Sequence, residues 1–171
     1  HPMEGWDAQS DGFPSEHTLR RWRRFGESGA ALIWGGEAFA VREDGRANPN
    51  QLFHRDRAST CRALEALRVA LAEGHSAIGD EAPQKSITGL QLTHSGRWSR
   101  PNRDGAAPRI AFEHPILDSR VGATGEQILS DSDLGAIAER YSEVAQCALE
   151  TGFDFVDLKA CHGYLIHELL S

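Results

Sequence analysis

Three times along this chain, a stretch that reads as a helix is followed by a short, largely apolar stretch that reads as a buried strand. After an opening loop rich in Gly, Asp and Ser, "SEHTLRRWRRFGESGA" starts on a serine able to cap a helix and closes at Gly29. "AALIWGG" follows it, and such a run suits a strand buried on both faces of a parallel sheet. In "RDRASTCRALEALRVALAEG", Ala63, Leu64, Leu67 and Leu71 share one helical face, and "SITGLQLTH" is the strand after it. A long polar, proline-containing loop is expected from about Ser95 to Ser130. Beyond it Leu134, Ile137, Ala138, Tyr141, Ala145, Ala148 and Leu149 recur at helical spacing, with "GFDFVDLKA" as the third strand and "YLIHELLS" opening a further helix. Alternating helices and strands imply a parallel sheet, either doubly wound or a (β/α) barrel. No G-x-G-x-x-G follows the first strand, so the dinucleotide-binding form of the doubly wound sheet loses support.

Length sharpens this picture. Three helix-strand units plus a leading strand stub make half of an eight-unit barrel, which takes about 250 residues. The expectation is an α/β chain whose residues 1–171 form one partial domain, an incomplete (β/α)8 TIM barrel covering about strands 1–4. Half a barrel leaves raw sheet edges and exposed apolar strand faces, so the rest of the barrel is the first expected partner. A start without an initiator Met, and an end inside a helix pattern, fit an excerpt of a longer protein.

Composition removes several classes. With 40% hydrophobic and 25% charged residues the chain sits in the soluble globular range, and no apolar run is long enough to cross a bilayer. A net charge of −7 opposes nucleic acid as a partner, and "RRWRR" around Trp22 reads as a solvated helix face. Cys61, Cys147 and Cys161 are odd in number and form no CxxC pair, which argues against a disulfide framework or a closed zinc site and fits a reducing, cytoplasmic setting. The histidines show no H-x-x-x-H spacing with an acid between, so no metal is expected.

In a (β/α) barrel the working residues lie at the C-terminal ends of the strands. The polar clusters stand there: "PMEGWD" after the stub, "GGEAFAV" after the next strand, "QLTHSGR" and "KACHGYL" at the ends of the last two. All four would face one mouth.

Through "HPMEGWD", "ALIWGGEAFAV", "GLQLTHSGRW" and "FDFVDLKACHGYLIHELLS" the chain resembles the old yellow enzyme family of flavin-dependent NAD(P)H oxidoreductases, which includes dienoyl-CoA reductase-like and trimethylamine dehydrogenase-like proteins. The resemblance implies a TIM barrel holding FMN at its mouth, with hydride passed from NAD(P)H through the flavin to an electron-poor C=C of a small enone- or enoate-type acceptor. It places Pro2, Met3 and Glu4 against the flavin, with Glu4 where Thr or Cys is usual. A carboxylate there would disfavour the anionic reduced flavin unless it turns away or is protonated. The resemblance assigns a main-chain contact with the flavin to Ala38, the pyrimidine edge to the Gln91 amide, and positive charge near flavin or substrate to Arg97. His162 matches the second of two donors that grip the acceptor oxygen, and Lys159 stands at the first in place of the commoner His. Tyr164 matches the tyrosine that delivers a proton to the acceptor's α-carbon.

On an extended segment Cys161 and His162 would point to opposite faces, which gives Cys161 to packing and His162 to the pocket. The cysteine run of an iron-sulfur cluster, carried by some larger relatives, is not encoded in this segment. Two rival functions stay open: a truncated or degenerate barrel used as a binding scaffold, and flavin-dependent amine oxidation or demethylation, which Lys159 keeps alive. The acceptor, the choice of NADH or NADPH and assembly into a homo-oligomer are also open.

Overall fold

A computed structural model describes residues 2–79 and 86–171; His1 of "HPMEGWD" lies outside them. The element order is α1 (Glu16–Glu27), β1 (Leu32–Ala40), α2 (Arg57–Ala77), β2 (Ile87–Thr93), α3 (Pro115–Val121), α4 (Asp131–Glu150), β3 (Phe155–Leu158) and α5 (Leu165–Leu169). The strands form one parallel sheet in the order β1-β2-β3. The three expected helix-strand units are therefore present. The leading stub is not a strand, and its backbone meets β1 through the Met3 amide, which donates to the Gly35 carbonyl at 3.2 Å.

Local chemistry sets the helix starts. Ser15 caps α1 and Ser130 caps α4, each in a reciprocal capping box with the residue three further on, while Asp56 caps α2 through the Ser59 amide. The core lies between the helices and one sheet face, with Trp22, Phe39, Leu64, Leu67, Leu90, Leu92, Val144 and Ala148 all fully enclosed. Helices α1 and α2 cross closely at Gly26 and Gly74. A Cβ on Gly26 would lie 2.1 Å from the Leu71 carbonyl oxygen, and one on Gly74 would lie 1.9 Å from that of Arg23. Alanine at either position would push the helices apart.

Four expectations need correcting. Strand β1 does not stop at Gly36 but runs on to Ala40 across an irregularity: Trp34 pairs with Gly89 and Ala38 with Gln91, four steps on β1 against two on β2. Gly35, with φ 58°, takes up the bend. The 95–130 loop contains α3, which starts on Pro115 under a His114 cap. The "RRWRR" turn is not wholly a solvated face, because Trp22 is fully buried and Arg21 is drawn into ion pairs. Cys61 and Cys147 are joined as a disulfide with Cα atoms 5.1 Å apart. They are 86 residues apart, on packed helices α2 and α4, and only the packing makes them neighbours. The cysteine pattern therefore no longer supports a reducing compartment.

Strand alternation puts Leu32, Trp34, Ile87, Gln91, Phe155 and Asp157 on the sheet face opposite the buried Leu90 and Leu92. Leu32, Trp34 and Ile87 remain exposed there at 52%, 41% and 46%. This is the inner face that other strands cover in a closed barrel. No helix among the described residues is long and apolar enough to cross a membrane.

Candidate active site

The segment Pro2–Asp7 is tied down by one arginine. Arg21 donates to both oxygens of Asp7 at 2.9–3.0 Å, to the Glu37 carboxylate at 2.7 Å and to the Gly36 carbonyl at 2.9 Å. The other Glu37 oxygen accepts from the Gly5 amide at 2.9 Å. Glu37 is thus a fully buried partner of Arg21. Burial pushes its carboxyl up to about 7, against the pull of Arg21. A side chain at Gly35 would meet Pro2 at 2.9 Å and the Gln91 Cβ at 3.2 Å, so the glycine lets the stub lie directly over the sheet.

Between this stub and the ends of the strands lies a cavity of about 380 Å³, lined by Pro2, Met3, Glu4, Trp34, Gln91, Asp157, Lys159, Cys161 and His162. Gln91 is nearly buried, and its Nε2 donates to Asp157 Oδ2 at 2.6 Å across the β2–β3 register. That bond orients the amide and leaves its carbonyl oxygen and second N–H available. On the other wall Lys159 Nζ donates to Glu4 Oε1 at 2.9 Å, and Tyr164 OH donates to Glu4 Oε2 at 3.1 Å. The ammonium also lies 4.3 Å from the centre of the Tyr164 ring. Burial, then the adjoining Glu4 charge, raises the Tyr164 phenol well above its ordinary pKa.

The chain turns sharply after Lys159. His162 has φ 62° and Gly163 φ 68°, so the histidine sits in the left-handed region and its imidazole is exposed at the cavity. Its ring meets Tyr164 edge-on, with centres 6.0 Å apart.

Seven residues singled out from the sequence thus come together: Pro2, Met3, Glu4, Gln91, Lys159 and His162 on the cavity wall, and Tyr164 behind Glu4. Ala38 does not join them. It is fully buried inside β1 and its carbonyl accepts from Gln51 Nε2 at 2.7 Å, so the expected main-chain contact is already occupied on that side. Arg97 is not there either. Its guanidinium is fully buried, paired with Asp118 and Glu168 and bonded to the Phe112 carbonyl, so its charge is spent on structure. His94 is likewise buried, with its carbonyl accepting from the Leu165 amide.

Cys161 is exposed on the same cavity as His162, contrary to its assignment to packing. Alternation fails there because the segment is a turn rather than a strand. Trp34 and Asp157 were missed. Asp157 could have been found from its place two residues before Lys159 on the inward-facing phase of β3. A larger cavity of about 720 Å³ lies between the loops after β1 and β2 and α4, and holds none of the expected residues. Two of its arginines, Arg42 and Arg140, are paired with Asp44 and Glu143.

Residues 28–171 match the model of the NADH:flavin oxidoreductase / NADH oxidase family, and the chain belongs to that family. Its relatives include the NADPH dehydrogenase of Bacillus subtilis, 34% identical over 101 residues, covering 58% of this chain and 28% of that protein. The NADH:acrylate oxidoreductase of Vibrio harveyi is 27% identical over 172 residues, covering 99% of this chain and 16% of that protein. The old yellow enzyme homologue of Zymomonas mobilis superposes with a TM-score of 0.68 at 23% identity, over 96% of this chain and 44% of that one. The fold is that of the old yellow enzyme barrel, here with three of its parallel strands. The chain spans less than half the length of these relatives.

Proposed function

We propose that residues 1–171 are the first part of an FMN-binding barrel domain, and that the protein carrying them passes hydride from NAD(P)H to an electron-poor C=C of a small acceptor. The observation that carries this reading is the shared cavity of Gln91, Lys159, His162 and the Pro2–Glu4 stretch beside the ends of a parallel sheet. The residues suit the ring of FMN, the cofactor of the family. Gln91 keeps one acceptor and one donor free, the complement of a flavin pyrimidine edge, and Pro2 and Trp34 supply apolar surface. The Glu4 charge is matched by Lys159, which removes the objection to a carboxylate at that place. FMN, when bound, supplies the redox chemistry, and the residues of the chain bind and orient.

In this reading Gln91 holds the ring, and the exposed His162 and the Lys159 ammonium orient the acceptor carbonyl from the rim. Tyr164, its hydroxyl already on Glu4, holds the proton that the acceptor's α-carbon takes up. The protein is expected to show a flavin absorption band that bleaches on adding NAD(P)H and returns on adding an enone. A band that an amine bleaches in place of NAD(P)H, or that an enone does not restore, would overturn the C=C assignment.

A further inference from the structure

We propose that Glu4 is a specificity-determining positioning residue: by holding Lys159 and Tyr164 together, its carboxylate closes the Lys159 ammonium to anionic acceptors. The inference deepens the proposed function and rests on it for the location of the acceptor.

An ammonium at the rim of a redox pocket is by itself a binding site for a carboxylate, since a charge-assisted hydrogen bond to an anion is about twice as strong as a neutral one. In this chain that bond is already made from within. Lys159 and Glu4 are 2.9 Å apart, with side chains only 6% and 12% exposed, so an incoming carboxylate would have to displace a partner shielded from water. The second Glu4 oxygen is not free to swing away, because Tyr164 donates to it at 3.1 Å. The Tyr164 ring lies against the ammonium at 4.3 Å and closes the triangle. Asp157 adds a further carboxylate to the cavity wall, held by Gln91. An anionic acceptor therefore meets two acidic side chains against one ammonium, while a neutral carbonyl meets no such opposition. The two residues are 155 positions apart, yet each meets its only charged partner among the described residues in the other.

Glu4→Gln tests this. The amide keeps the size of the side chain and removes its charge, which leaves the Lys159 ammonium open. The FMN-loaded wild type and variant are titrated calorimetrically with acrylate and with cyclohex-2-enone, without NAD(P)H, so the readout does not require turnover. The ratio of acrylate to enone affinity is expected to rise about tenfold or more in the variant. Adding Lys159→Met to Glu4→Gln should abolish the rise.

The Tyr164 phenol, freed of the neighbouring charge, should also titrate at lower pH in Glu4→Gln than in wild type, which a purely structural role would not produce. Glu4→Thr, a smaller uncharged replacement, serves if the glutamine variant does not fold, with the same rise expected. An unchanged ratio in the folded variant overturns the proposal, as does a rise that survives Lys159→Met. If the flavin is not reduced by NAD(P)H while the affinity ratio still shifts, the proposed function fails and the role of Glu4 stands.

Discussion

Arg97→Ala in the protein carrying this chain is expected to lower the free energy of unfolding by about 3–5 kcal/mol, the usual cost of removing one partner from a buried ionic cluster. Arg97 has no exposed surface, and its guanidinium joins three separate pieces of chain. It pairs with Asp118 on α3 and Glu168 on α5, and it donates to the Phe112 carbonyl at 2.8 Å. Alanine strands both carboxylates in a site closed to water. Backbone amides soften the loss but do not remove it, since Glu168 accepts from Ala111 at 3.2 Å and Asp118 from His114 at 2.6 Å. A denaturant titration measures the effect. A midpoint within error of wild type would contradict the structural role and return Arg97 to the list of candidates for binding.

His162→Ala is expected to slow reoxidation of the flavin by an enone by about 10²–10³-fold, the typical loss for one donor aimed at a developing oxyanion. Flavin reduction by NAD(P)H should stay near the wild-type rate, because only the acceptor needs the clamp. The imidazole stands exposed on the cavity wall, and a left-handed backbone with φ 62° holds it there. Asparagine tolerates that conformation and carries an N–H donor, so His162→Asn should recover part of the lost rate where alanine does not. Stopped-flow measurement of the two half-reactions separates the effects. Equal slowing of both, or no slowing of either, would remove His162 from the acceptor clamp.

Periodicity exposed α2 and α4 because they bury residues every third or fourth position, and β1 and β2 because they bury nearly continuous runs, whereas α1 was legible from its Ser15 cap. Helix α3 was hidden in a polar loop because among its residues only Asp118 is buried, so it leaves no apolar stripe to read. The end of β1 was missed for a related reason. Gly35, Gly36 and Glu37 read as a loop, and only the three-dimensional partners of Glu37 make a carboxylate acceptable inside a strand.

The candidate site was legible in part. Gln91, Lys159 and His162 could be found because a strand pattern followed by a polar cluster marks the mouth of a barrel. Arg97 could not be placed, since its partners Asp118 and Glu168 lie 21 and 71 residues further along and no local pattern points to them. The pairing of Cys61 with Cys147 was hidden in the same way. For Glu4 and Lys159 the signal was present but needed combining: each is a departure from the commoner residue at its position, and the two departures have opposite charge. The αL turn at His162 had no such signal beyond the glycine that follows it.

Whether Gln91 and its neighbours cradle a flavin ring is tested most directly by titrating FMN into the cofactor-free form of the whole protein carrying this chain and of its Gln91→Leu variant. Wild type should saturate at one FMN per chain, and the variant should bind about tenfold more weakly or worse, having lost the hydrogen bonds of one amide. Wild-type protein that takes up no FMN, or a folded variant with unchanged affinity, would contradict the account.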